Sequence, residues 1–391
     1  MRKVKVGIIG CGVICQTYLR NLTQIFEMIE VVAVADMFIE KAKQVAEQFN
    51  IPKAYSVDEL LADKEVEIVV NLTIPVAHKE INMKALNAGK HVYCEKPLAL
   101  NLEDAKETID LANEKGLLLG CAPDTFLGAG LQTCRKIIEE GWIGTPIGAT
   151  ANLVSRGHET WHPAPEFYYK KGAGPMLDMG PYYITALVSL LGPIDKVSCF
   201  AKKTFDKRII TSQPLRGKEI EVDVLTHYAG LLEFKNGVIA NINVSFDVWL
   251  SNLPCIEIFG TEGTLVVPDP NMFGGPVKLL RGNSMVDSIE GLDVGEAVEK
   301  IHSEAMFDFF KDMPLAYNKT GDNMRGMGLL DMAYSIVEGR EHRTNTELVY
   351  HVMEALSSFD ISAKEGTTYK MTTTCEQPKP IPTGLQIGSL D

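Results

Sequence analysis

The sequence predicts an α/β protein of two domains, in which a doubly wound parallel sheet is followed by an α+β domain with an open, mainly antiparallel sheet. Three observations predict this fold class. The first 125 residues alternate short apolar strands with helices, which is typical of a parallel sheet covered on both faces. After Phe126 the strand-like runs become longer and are joined by tight turns, as in antiparallel sheets. The chain of 391 residues also exceeds the length that one compact core usually accommodates.

The first domain is predicted over residues 1–125. Its apolar runs predict strands at Val4–Ile9, Glu30–Ala35, Val66–Leu72, His91–Cys94 and Leu117–Ala122. Helical spacing predicts helices between them, at Thr17–Glu27, Glu40–Phe49, Ala77–Ala88 and Asn101–Lys115. Parallel sheets of this kind bind ligands beyond the carboxyl ends of their strands. Four residues at those ends should therefore converge on one crevice: Gly10, Asp36, Thr73 and Lys96.

The second domain is predicted over residues 126–375. Its strands are expected at Ile147–Ser155, Val197–Lys202, Val224–Phe234, Val238–Phe246, Ile256–Gly260, Thr264–Val267 and Val277–Leu280. A hairpin turn at residues 235–237 joins two of them. Helices are expected at Gly128–Glu140, Gly180–Leu191, Glu296–Lys311 and Glu347–Lys364. Residues 376–391 contain proline and glycine and are expected to form a loose tail or an arm.

A glycine-rich turn links the first predicted strand to the first helix. Gly10 permits the tight turn, and Gly12 lets the backbone approach a pyrophosphate bound at the helix N-terminus. Cys15 replaces the third glycine of the usual dinucleotide pattern and is small enough for close helix–strand packing. The turn therefore predicts a dinucleotide site, to which Val13 and Ile14 at the helix start also contribute.

An acidic residue ends the next predicted strand. Asp36 follows Gly12 at close to the ~20-residue spacing of a ribose-binding acid. A carboxylate accepts hydrogen bonds from both ribose hydroxyls but repels a 2′-phosphate, and Met37 follows it in place of an arginine. The sequence therefore favours NAD over NADP, while Lys41 and Lys43 keep NADP open as the less favoured cofactor. The alternative is a plain glycine turn with a surface aspartate.

Two further motifs follow predicted strands. Glu95-Lys96-Pro97 comes after one strand, and Asn71-Leu72-Thr73-Ile74-Pro75 with His78 comes after another. With the glycine turn and Asp36, these motifs resemble the glucose-fructose oxidoreductase / inositol dehydrogenase / MocA family over nearly the whole chain. The resemblance implies a Rossmann domain that binds a nicotinamide dinucleotide, followed by an open antiparallel sheet. It also implies cofactor contacts from six residues: Asn71, Thr73, Pro75, His78, Glu95 and Lys96.

The same resemblance implies that Lys96 is the catalytic lysine and contacts both the nicotinamide ribose and the substrate. The chemistry agrees, because hydride loss turns an alcohol into a carbonyl, and an ammonium beside the oxygen stabilises its alkoxide character. Pro97 restricts the backbone next to the lysine and helps to fix it. The alternative is an ordinary surface lysine after a strand.

A second group of candidate residues opens the helix predicted at Gly180–Leu191. Asp178 and Tyr182 are four residues apart, so they share a face if the helix has already begun. In the family that the chain resembles, an aspartate here is followed four residues later by histidine in most members and by tyrosine in some. Catalytic and substrate-binding roles are therefore predicted for both residues, and proton transfer stays open between Tyr182 and Lys96. The alternative is a capping aspartate and a packed tyrosine.

A third group follows the first strand of the second domain, where the family has substrate contacts. Arg156, His158, Trp161 and His162 suit a sugar, since polar groups bind hydroxyls and an aromatic face covers the CH side of the ring. The two histidines could instead bind a metal, but no further ligand is indicated and no metal site is predicted. A structural loop or a subunit contact is the other alternative.

Composition narrows the partners and the compartment. The net charge of −13 disfavours nucleic acid and anionic membranes as partners, and no apolar run is long enough to span a bilayer. The eight scattered cysteines favour thiols in a reducing compartment. The apolar stretch Val6–Cys15 mimics a secretion signal but is the first strand and turn, so a cytoplasmic protein is expected. The open sheet that the resemblance implies leaves one face uncovered, and this predicts a homodimer or homotetramer.

These features predict an NAD(P)-dependent oxidoreductase that moves a hydride between nicotinamide and a secondary hydroxyl or keto group of a sugar, an inositol-like polyol or a glycoside. The prediction requires the glycine turn, Lys96 and the Asp178–Tyr182 segment to face one nicotinamide ring. A redox-neutral glycoside hydrolase or lyase, which oxidises the sugar transiently, would use the same residues. A non-catalytic NAD or sugar sensor is the second alternative, although a sensor has no need to keep these proton-transfer residues together.

Overall fold

The structure is a computed structural model that describes residues 2–303, 308–317, 323–384 and 388–390. The chain divides into two compact units. The first combines Met1–Gly128, Tyr317–Ser357 and Thr373–Asp391, and the second combines Ala129–Ala316 and Ser358–Thr372. The chain therefore leaves the first unit close to the expected boundary and later returns to it twice.

The first unit is built on a parallel sheet whose strands are apolar runs buried on both faces. The strands are β1 (Val4–Ile9), β2 (Ile29–Ala35), β3 (Lys53–Tyr55), β4 (Ile68–Asn71), β5 (His91–Cys94) and β6 (Leu119–Cys121). The helices are α1 (Val13–Gln24), α2 (Ile39–Phe49), α3 (Val57–Ala62), α4 (His78–Asn87) and α5 (Leu102–Glu114). The sheet has the order β3-β2-β1-β4-β5-β6, and each neighbouring pair is parallel. The predicted doubly wound parallel sheet is confirmed.

The second unit is built on an open sheet whose strands alternate buried and exposed side chains. Its helices are α6 (Ala129–Glu139), α7 (Pro175–Asp178), α8 (Gly180–Leu191), α9 (Gly282–Ile289) and α10 (Val294–Ile301). Its strands are β7 (Pro146–Val154), β8 (Ile194–Lys202), β9 (Lys207–Ile209), β10 (Glu219–Glu221), β11 (His227–Phe234), β12 (Ile239–Ser245), β13 (Ile256–Gly260), β14 (Gly263–Val267), β15 (Val277–Arg281), β16 (Lys311–Met313) and β17 (Tyr369–Lys370).

The large sheet of the second unit has the order β16-β15-β14-β13-β7-β12-β11-β8-β17, and β9 pairs with β10 separately. Strands β7 and β12 run parallel, whereas the other pairs along the sheet are antiparallel. The predicted open, mainly antiparallel sheet is therefore confirmed, with one parallel pair that the sequence did not indicate.

The second domain does not occupy all of residues 126–375, because a helical segment returns to the first unit. This segment contains α11 (Met327–Glu338) and the first part of α12 (Thr346–Glu365). Helix α11 is apolar and buried over its first turns, and it was not predicted. An ion pair between Arg343 and the fully buried Asp331 fixes the connection between the helices. The backbone N–H of Cys121 in β6 donates to the carbonyl of Thr344 at 3.3 Å.

The carboxyl-terminal segment also packs on the first unit over its described residues, 376–384 and 388–390. Ile381 and Leu390 are buried, and the Nε of Arg343 donates to the carbonyl of Lys379 at 3.0 Å. The expectation of a loose tail or arm is corrected for these residues, because apolar side chains anchor them.

The helix predicted at Glu296–Lys311 differs from the structure at both ends. Helix α10 begins at Val294 and ends at Ile301, and Lys311 lies in strand β16. The part of this prediction that covers residues 304–307 lies outside the described residues. Among the described helices, none is long and apolar enough to cross a bilayer.

Candidate active site

The carboxyl edge of the parallel sheet gathers the first set of predicted site residues. The register pairs the last residues of neighbouring strands across the sheet, in the order Ala35, Ile9, Asn71, Cys94 and Cys121. The residues that follow these strands therefore leave the sheet at one level. Among them are the four that were expected to converge: Gly10, Asp36, Thr73 and Lys96.

The turn between β1 and α1 is shaped by its glycines. Gly10 has a φ of 105°, and a Cβ there would lie 2.6 Å from the carbonyl carbon of Leu72, so only glycine fits. Gly12 precedes α1 without a capping side chain, and a Cβ on it would meet no described atom within 4 Å. The first turn of α1, which starts with Val13 and Ile14, contains no acidic residue. This open helix N-terminus fits the phosphates of a dinucleotide.

Asp36 is fixed beside the glycine turn by both of its carboxylate oxygens. Oδ2 accepts from the backbone N–H of Cys11 at 2.8 Å, and Oδ1 accepts from that of Phe38 at 3.0 Å. Met37 and Phe38 are 82% and 62% exposed, so apolar side chains border the carboxylate. A carboxylate oxygen has two lone pairs, and Asp36 keeps acceptor capacity for ribose hydroxyls.

Asn71 shapes the loop that follows β4. Its side chain is fully buried, and its Oδ1 accepts from the N–H and the hydroxyl of Thr73 at 3.2 and 2.7 Å. Its Nδ2 donates to the carbonyl of His78 at 3.1 Å and to Oδ1 of Asn82 at 2.8 Å. Asn71 therefore holds the loop from within, while Pro75 is exposed at its surface.

Glu95 holds the backbone at the predicted catalytic lysine. Its Oε1 accepts from the hydroxyl of Tyr18 at 2.9 Å, and its Oε2 accepts from the backbone N–H of Lys96 at 3.0 Å. The peptide bond between Lys96 and Pro97 is cis, and both residues are half-buried. Glu95 thus fixes the start of the loop that carries the lysine.

His78 lies behind these two loops. It begins α4 and is 1% exposed, with Nδ1 2.6 Å from the carbonyl of Pro97 and Nε2 3.0 Å from that of Thr73. The sequence indicated a cofactor contact for this residue. The structure instead turns both ring nitrogens toward protein carbonyls, so His78 supports the loops from the buried side.

In the second unit, Asp178 and His158 form a pair. Nε2 of His158 lies 3.2 Å from Oδ2 of Asp178. The histidine is 9% exposed, and its ring stacks on Tyr168 with centroids 3.8 Å apart. Its Nδ1 is buried and has no hydrogen-bond partner among the described residues, so Nε2 is the nitrogen that bonds the carboxylate, which can only accept. His158 therefore donates to Asp178 and fixes the orientation of its carboxylate.

Asp178 and Tyr182 do not lie on one continuous helix. Asp178 ends α7, and Met179 separates it from α8, in which Tyr182 occupies the first turn. The tyrosine is 7% exposed. The neighbouring Tyr183 is 4% exposed and donates to the carbonyl of Asn152 at 3.3 Å, so it belongs to the core.

The remaining predicted residues of this loop form an aromatic cluster. Trp161 is 63% exposed, and its ring lies 5.3 Å from that of the half-buried His162 and 5.2 Å from that of His158. Nδ1 of His162 accepts from the N–H of Ala164 at 3.0 Å. The guanidinium of Arg156 lies 4.6 Å from the centroid of Trp249. The loop therefore presents Trp161 outward and keeps His158 inside.

A buried charge cluster supports this loop and was missed by sequence reasoning. Arg208 is 3% exposed and forms ion pairs with the carboxylates of Glu159 and Asp247. It also donates to the carbonyl of Arg156 at 2.8 Å, and Tyr169 donates to Glu159. These residues come from distant parts of the chain, so no local spacing could have indicated the cluster.

The residues of the first unit fit a dinucleotide on three structural grounds, namely the positive φ of Gly10, the uncapped start of α1 and the fixed carboxylate of Asp36. Over the described ranges, no group of three or more His, Cys, Asp or Glu residues is placed to hold a metal ion.

Two family models match the chain. Residues 4–122 match a model described as an oxidoreductase family with an NAD-binding Rossmann fold. Residues 131–266 match the model of the GFO/IDH/MocA C-terminal domain. The first match lies in the first unit and the second match lies in the second unit.

The chain is also similar to individual proteins. It is 33% identical to a 1,5-anhydro-D-fructose reductase of Ensifer adhaerens, over 61% of this chain and 68% of that protein. It is 31% identical to an uncharacterized oxidoreductase of Schizosaccharomyces pombe, over 58% of this chain and 64% of that protein, which is less than two thirds of its length. An NAD binding oxidoreductase from Klebsiella pneumoniae has a TM-score of 0.76 at 23% identity, covering 95% of this chain and 100% of its own, and this likeness shows the fold.

Proposed function

The chain belongs to the glucose-fructose oxidoreductase / inositol dehydrogenase / MocA family of oxidoreductases, and from this premise we propose that it transfers a hydride between NAD and a secondary hydroxyl or keto group. The proposed substrate is a sugar, an inositol-like polyol or a glycoside. The observation that carries the proposal is the strand-end register of the first unit. It brings the glycine turn, Asp36 and the loop of Lys96 to one edge of the sheet.

The first unit matches a family described as having an NAD-binding Rossmann fold, and bound NAD would supply the nicotinamide carbon that exchanges the hydride. We assign the pyrophosphate to the turn of Gly10 and Gly12, and the adenosine ribose to Asp36. The fixed Asp36 carboxylate would repel the 2′-phosphate of NADP. Lys43 already pairs with Glu40 at 2.8 Å, which supports the preference for NAD.

We assign the acid–base work to Lys96, Asp178 and Tyr182. The ammonium of Lys96 stabilises negative charge on the substrate oxygen as the hydride leaves. The hydroxyl proton passes to Tyr182 or to Lys96, and Asp178 orients the substrate through its carboxylate. His158 keeps that carboxylate in place by donating to it across 3.2 Å.

The sugar class rests on the aromatic cluster of the second unit. Trp161 exposes an aromatic face that suits the CH side of a sugar ring, and the polar ring of His162 lies 5.3 Å from it, while Arg156 precedes both in the same loop. The related 1,5-anhydro-D-fructose reductase is named for a sugar derivative, which supports the same class.

We also propose that the protein is a homodimer or homotetramer. Phe200, Leu231 and Ile239 are 85%, 54% and 58% exposed, and the register of β8, β11 and β12 puts them on one face of the open sheet. A second copy covering this face would bury that apolar surface. Light scattering should give at least a dimer, and Phe200→Lys should shift it toward the monomer. Seven cysteines are thiols outside any disulfide, namely Cys11, Cys15, Cys94, Cys121, Cys134, Cys199 and Cys255, which supports a cytoplasmic location.

The test is an assay of the purified protein against a panel of polyols, sugars, 3-keto sugars and glycosides, with NAD and with NADP. The proposal predicts net NADH formation, or NADH consumption with a keto sugar, and higher activity with NAD than with NADP. Product release from a glycoside without net NADH would favour the redox-neutral alternative. NAD binding without turnover of any panel member, together with cell function retained by Lys96→Met, would favour a sensor.

A further inference from the structure

The buried ring of His78 touches two loops at once. Nδ1 lies 2.6 Å from the carbonyl oxygen of Pro97, and Nε2 lies 3.0 Å from that of Thr73. Pro97 directly follows Lys96, and Thr73 lies in the loop after β4. The ring therefore bridges the backbone of the loop that follows β4 and of the loop that carries Lys96, the proposed catalytic lysine.

These two contacts fix the number of protons on the ring. A carbonyl oxygen accepts and cannot donate, so each ring nitrogen must carry a hydrogen to bond it. A neutral imidazole has one N–H and one lone pair, and the lone pair would face a carbonyl oxygen at hydrogen-bond distance. Both contacts are satisfied only by the doubly protonated imidazolium.

A buried cation needs a counter-charge, and Cys94 is placed to supply one. Cys94 ends β5, is fully buried and pairs across the sheet with Asn71, whose Nδ2 donates to the carbonyl of His78 at 3.1 Å. Burial raises the pKa of its thiol, but the hydrogen bond from Cys121 and the charge of His78 lower that pKa to about 5. Burial lowers the pKa of His78, but the charge of Cys94 and the two carbonyls raise it to about 9.

Among the described residues, Cys94 is the group whose charge acts on the His78 ring, and the other neighbours of the ring are neutral or already paired. Asn71 from β4 and Asn82 from α4 are neutral and hydrogen-bond one another at 2.8 Å. Lys79, the next residue on α4, pairs with Asp104 and Glu107 of α5, each at 2.5 Å. Cys121 from β6 hydrogen-bonds the thiol of Cys94 and so lowers the pKa of Cys94.

We propose that His78 is an imidazolium at neutral pH, paired with a Cys94 thiolate, and that it clamps the Thr73 and Pro97 carbonyls and so positions Lys96. His78 is a positioning residue in this account and touches neither substrate nor cofactor. The role in turnover rests on the proposed function, whereas the charge state of the ring does not.

The charge state is measured directly by nitrogen NMR of the full-length protein with labelled histidine. The signals of His78 are those missing from the His78→Asn variant. Both ring nitrogens should show the protonated chemical shift at neutral pH, without NAD or substrate. A deprotonated shift for either nitrogen would overturn the proposal, whether or not the enzyme turns over any sugar.

The ion pair is tested with Cys94→Ser, which keeps the size of the side chain and removes the thiolate. The pH at which His78 loses its proton should fall by at least about one unit. Cys134→Ser is the matched control, since Cys134 is a buried thiol of α6 in the other unit. An unchanged titration of His78 in Cys94→Ser would remove the thiolate from the account.

The positioning role is tested by NAD affinity and by the pH profile of kcat. In Cys94→Ser the dissociation constant for NAD should increase at pH values above the one at which His78 deprotonates. In the parent protein it should stay constant over the same pH range. In His78→Asn, kcat should fall at least about 10-fold and its pH profile should change. A variant that only lowers the melting temperature, with NAD affinity and pH profile intact, would show a structural role alone.

Discussion

The carboxyl edge of the parallel sheet and the aromatic loop of the second unit are built in opposite ways. At the sheet edge the backbone sets the geometry, through the register of the strands and the positive φ of Gly10. In the aromatic loop the side chains set it, through ring stacking on His158 and the buried charges around Arg208. Geometry set by the backbone suits the dinucleotide, which is the same in every reaction. Geometry set by side chains suits the substrate, which differs between related enzymes.

This difference has a consequence for substitutions. Changes at the sheet edge should weaken turnover of every substrate to a similar degree, because they act on the cofactor and on the shared chemistry. Changes in the aromatic loop should alter the ratio of activities between substrates, because they act on recognition.

The largest effect is expected from Lys96→Met at the sheet edge. Loss of the ammonium should lower kcat about 10³-fold with each substrate, since it removes charge stabilisation of the substrate oxygen. Steady-state kinetics on at least two sugars measures the loss, and calorimetric titration measures NAD binding. Lys41→Met is the control, because Lys41 lies on an exposed part of α2. A loss that varied widely between substrates would remove the contrast between the two regions.

His342 lies in the first unit but outside the proposed site, and its protonation should lower the free energy of unfolding by about 3 kcal/mol as the pH falls. Burial lowers its pKa from 6.5 to about 4, so the ring stays neutral in the folded protein. The unfolded chain binds a proton as the pH falls below 6.5, and the folded chain does so only near 4. The stabilising effect is thus complete above the higher pH and is lost toward the lower one.

His342→Gln should remove this acid-dependent loss, which urea unfolding at a series of pH values would show. His302→Gln, at an exposed position directly after α10, should leave the loss in place. If His342→Gln changed substrate preference instead of stability, it would contradict the expectation that the first unit acts on all substrates to a similar degree.

A smaller effect, about 30-fold on NAD affinity, is expected from Asp36→Ser. The variant loses charge-assisted hydrogen bonds to the ribose and the bond from Cys11 at 2.8 Å. Discrimination against NADP should fall with it, because the negative charge is gone. Fluorescence titration with both dinucleotides tests this, with Glu40→Ser as the exposed acidic control. Equal loss of NAD and NADP binding would contradict the role in discrimination.

The smallest effect, about 1 kcal/mol or a few-fold in kcat/KM, is expected from Trp161→Ala. It should fall on cyclic sugars and spare acyclic polyols, because only a ring offers a CH face to the indole. Trp142→Ala, a partly exposed tryptophan elsewhere in the second unit, is the control. An equal loss with cyclic and acyclic substrates would argue that the loop has a structural role.

The contrast between the two regions also explains what the sequence could predict. The glycine turn, Asp36 and the loop of Lys96 follow strands directly, and residues after parallel strands must meet at one edge. Their place could therefore be predicted from local patterns. The proton on His78 could not, because it depends on carbonyls of Thr73 and Pro97 that folding brings to the ring.

The second unit shows the other limit. The sequence shows the alternation of apolar and polar residues along its strands. It does not show that Arg208 pairs with Glu159 and Asp247, because only the folded chain brings these residues together. The return of α11 to the first unit was missed because an apolar helix does not indicate which sheet it will cover. The break at Met179 was missed because Met179 itself has helical backbone angles, so the short α7 passes into the longer α8 without a turn residue that the sequence would show.

The proposed function requires hydride transfer between NAD and a carbon that carries a hydroxyl group. The direct measurement uses a substrate from the panel that is deuterated at that carbon, with mass spectrometry of the recovered nicotinamide dinucleotide. Deuterium is expected on the nicotinamide ring, and Lys96→Met should slow its transfer about 10³-fold. Deuterium released to water, with an unlabelled dinucleotide and product formed, would contradict it.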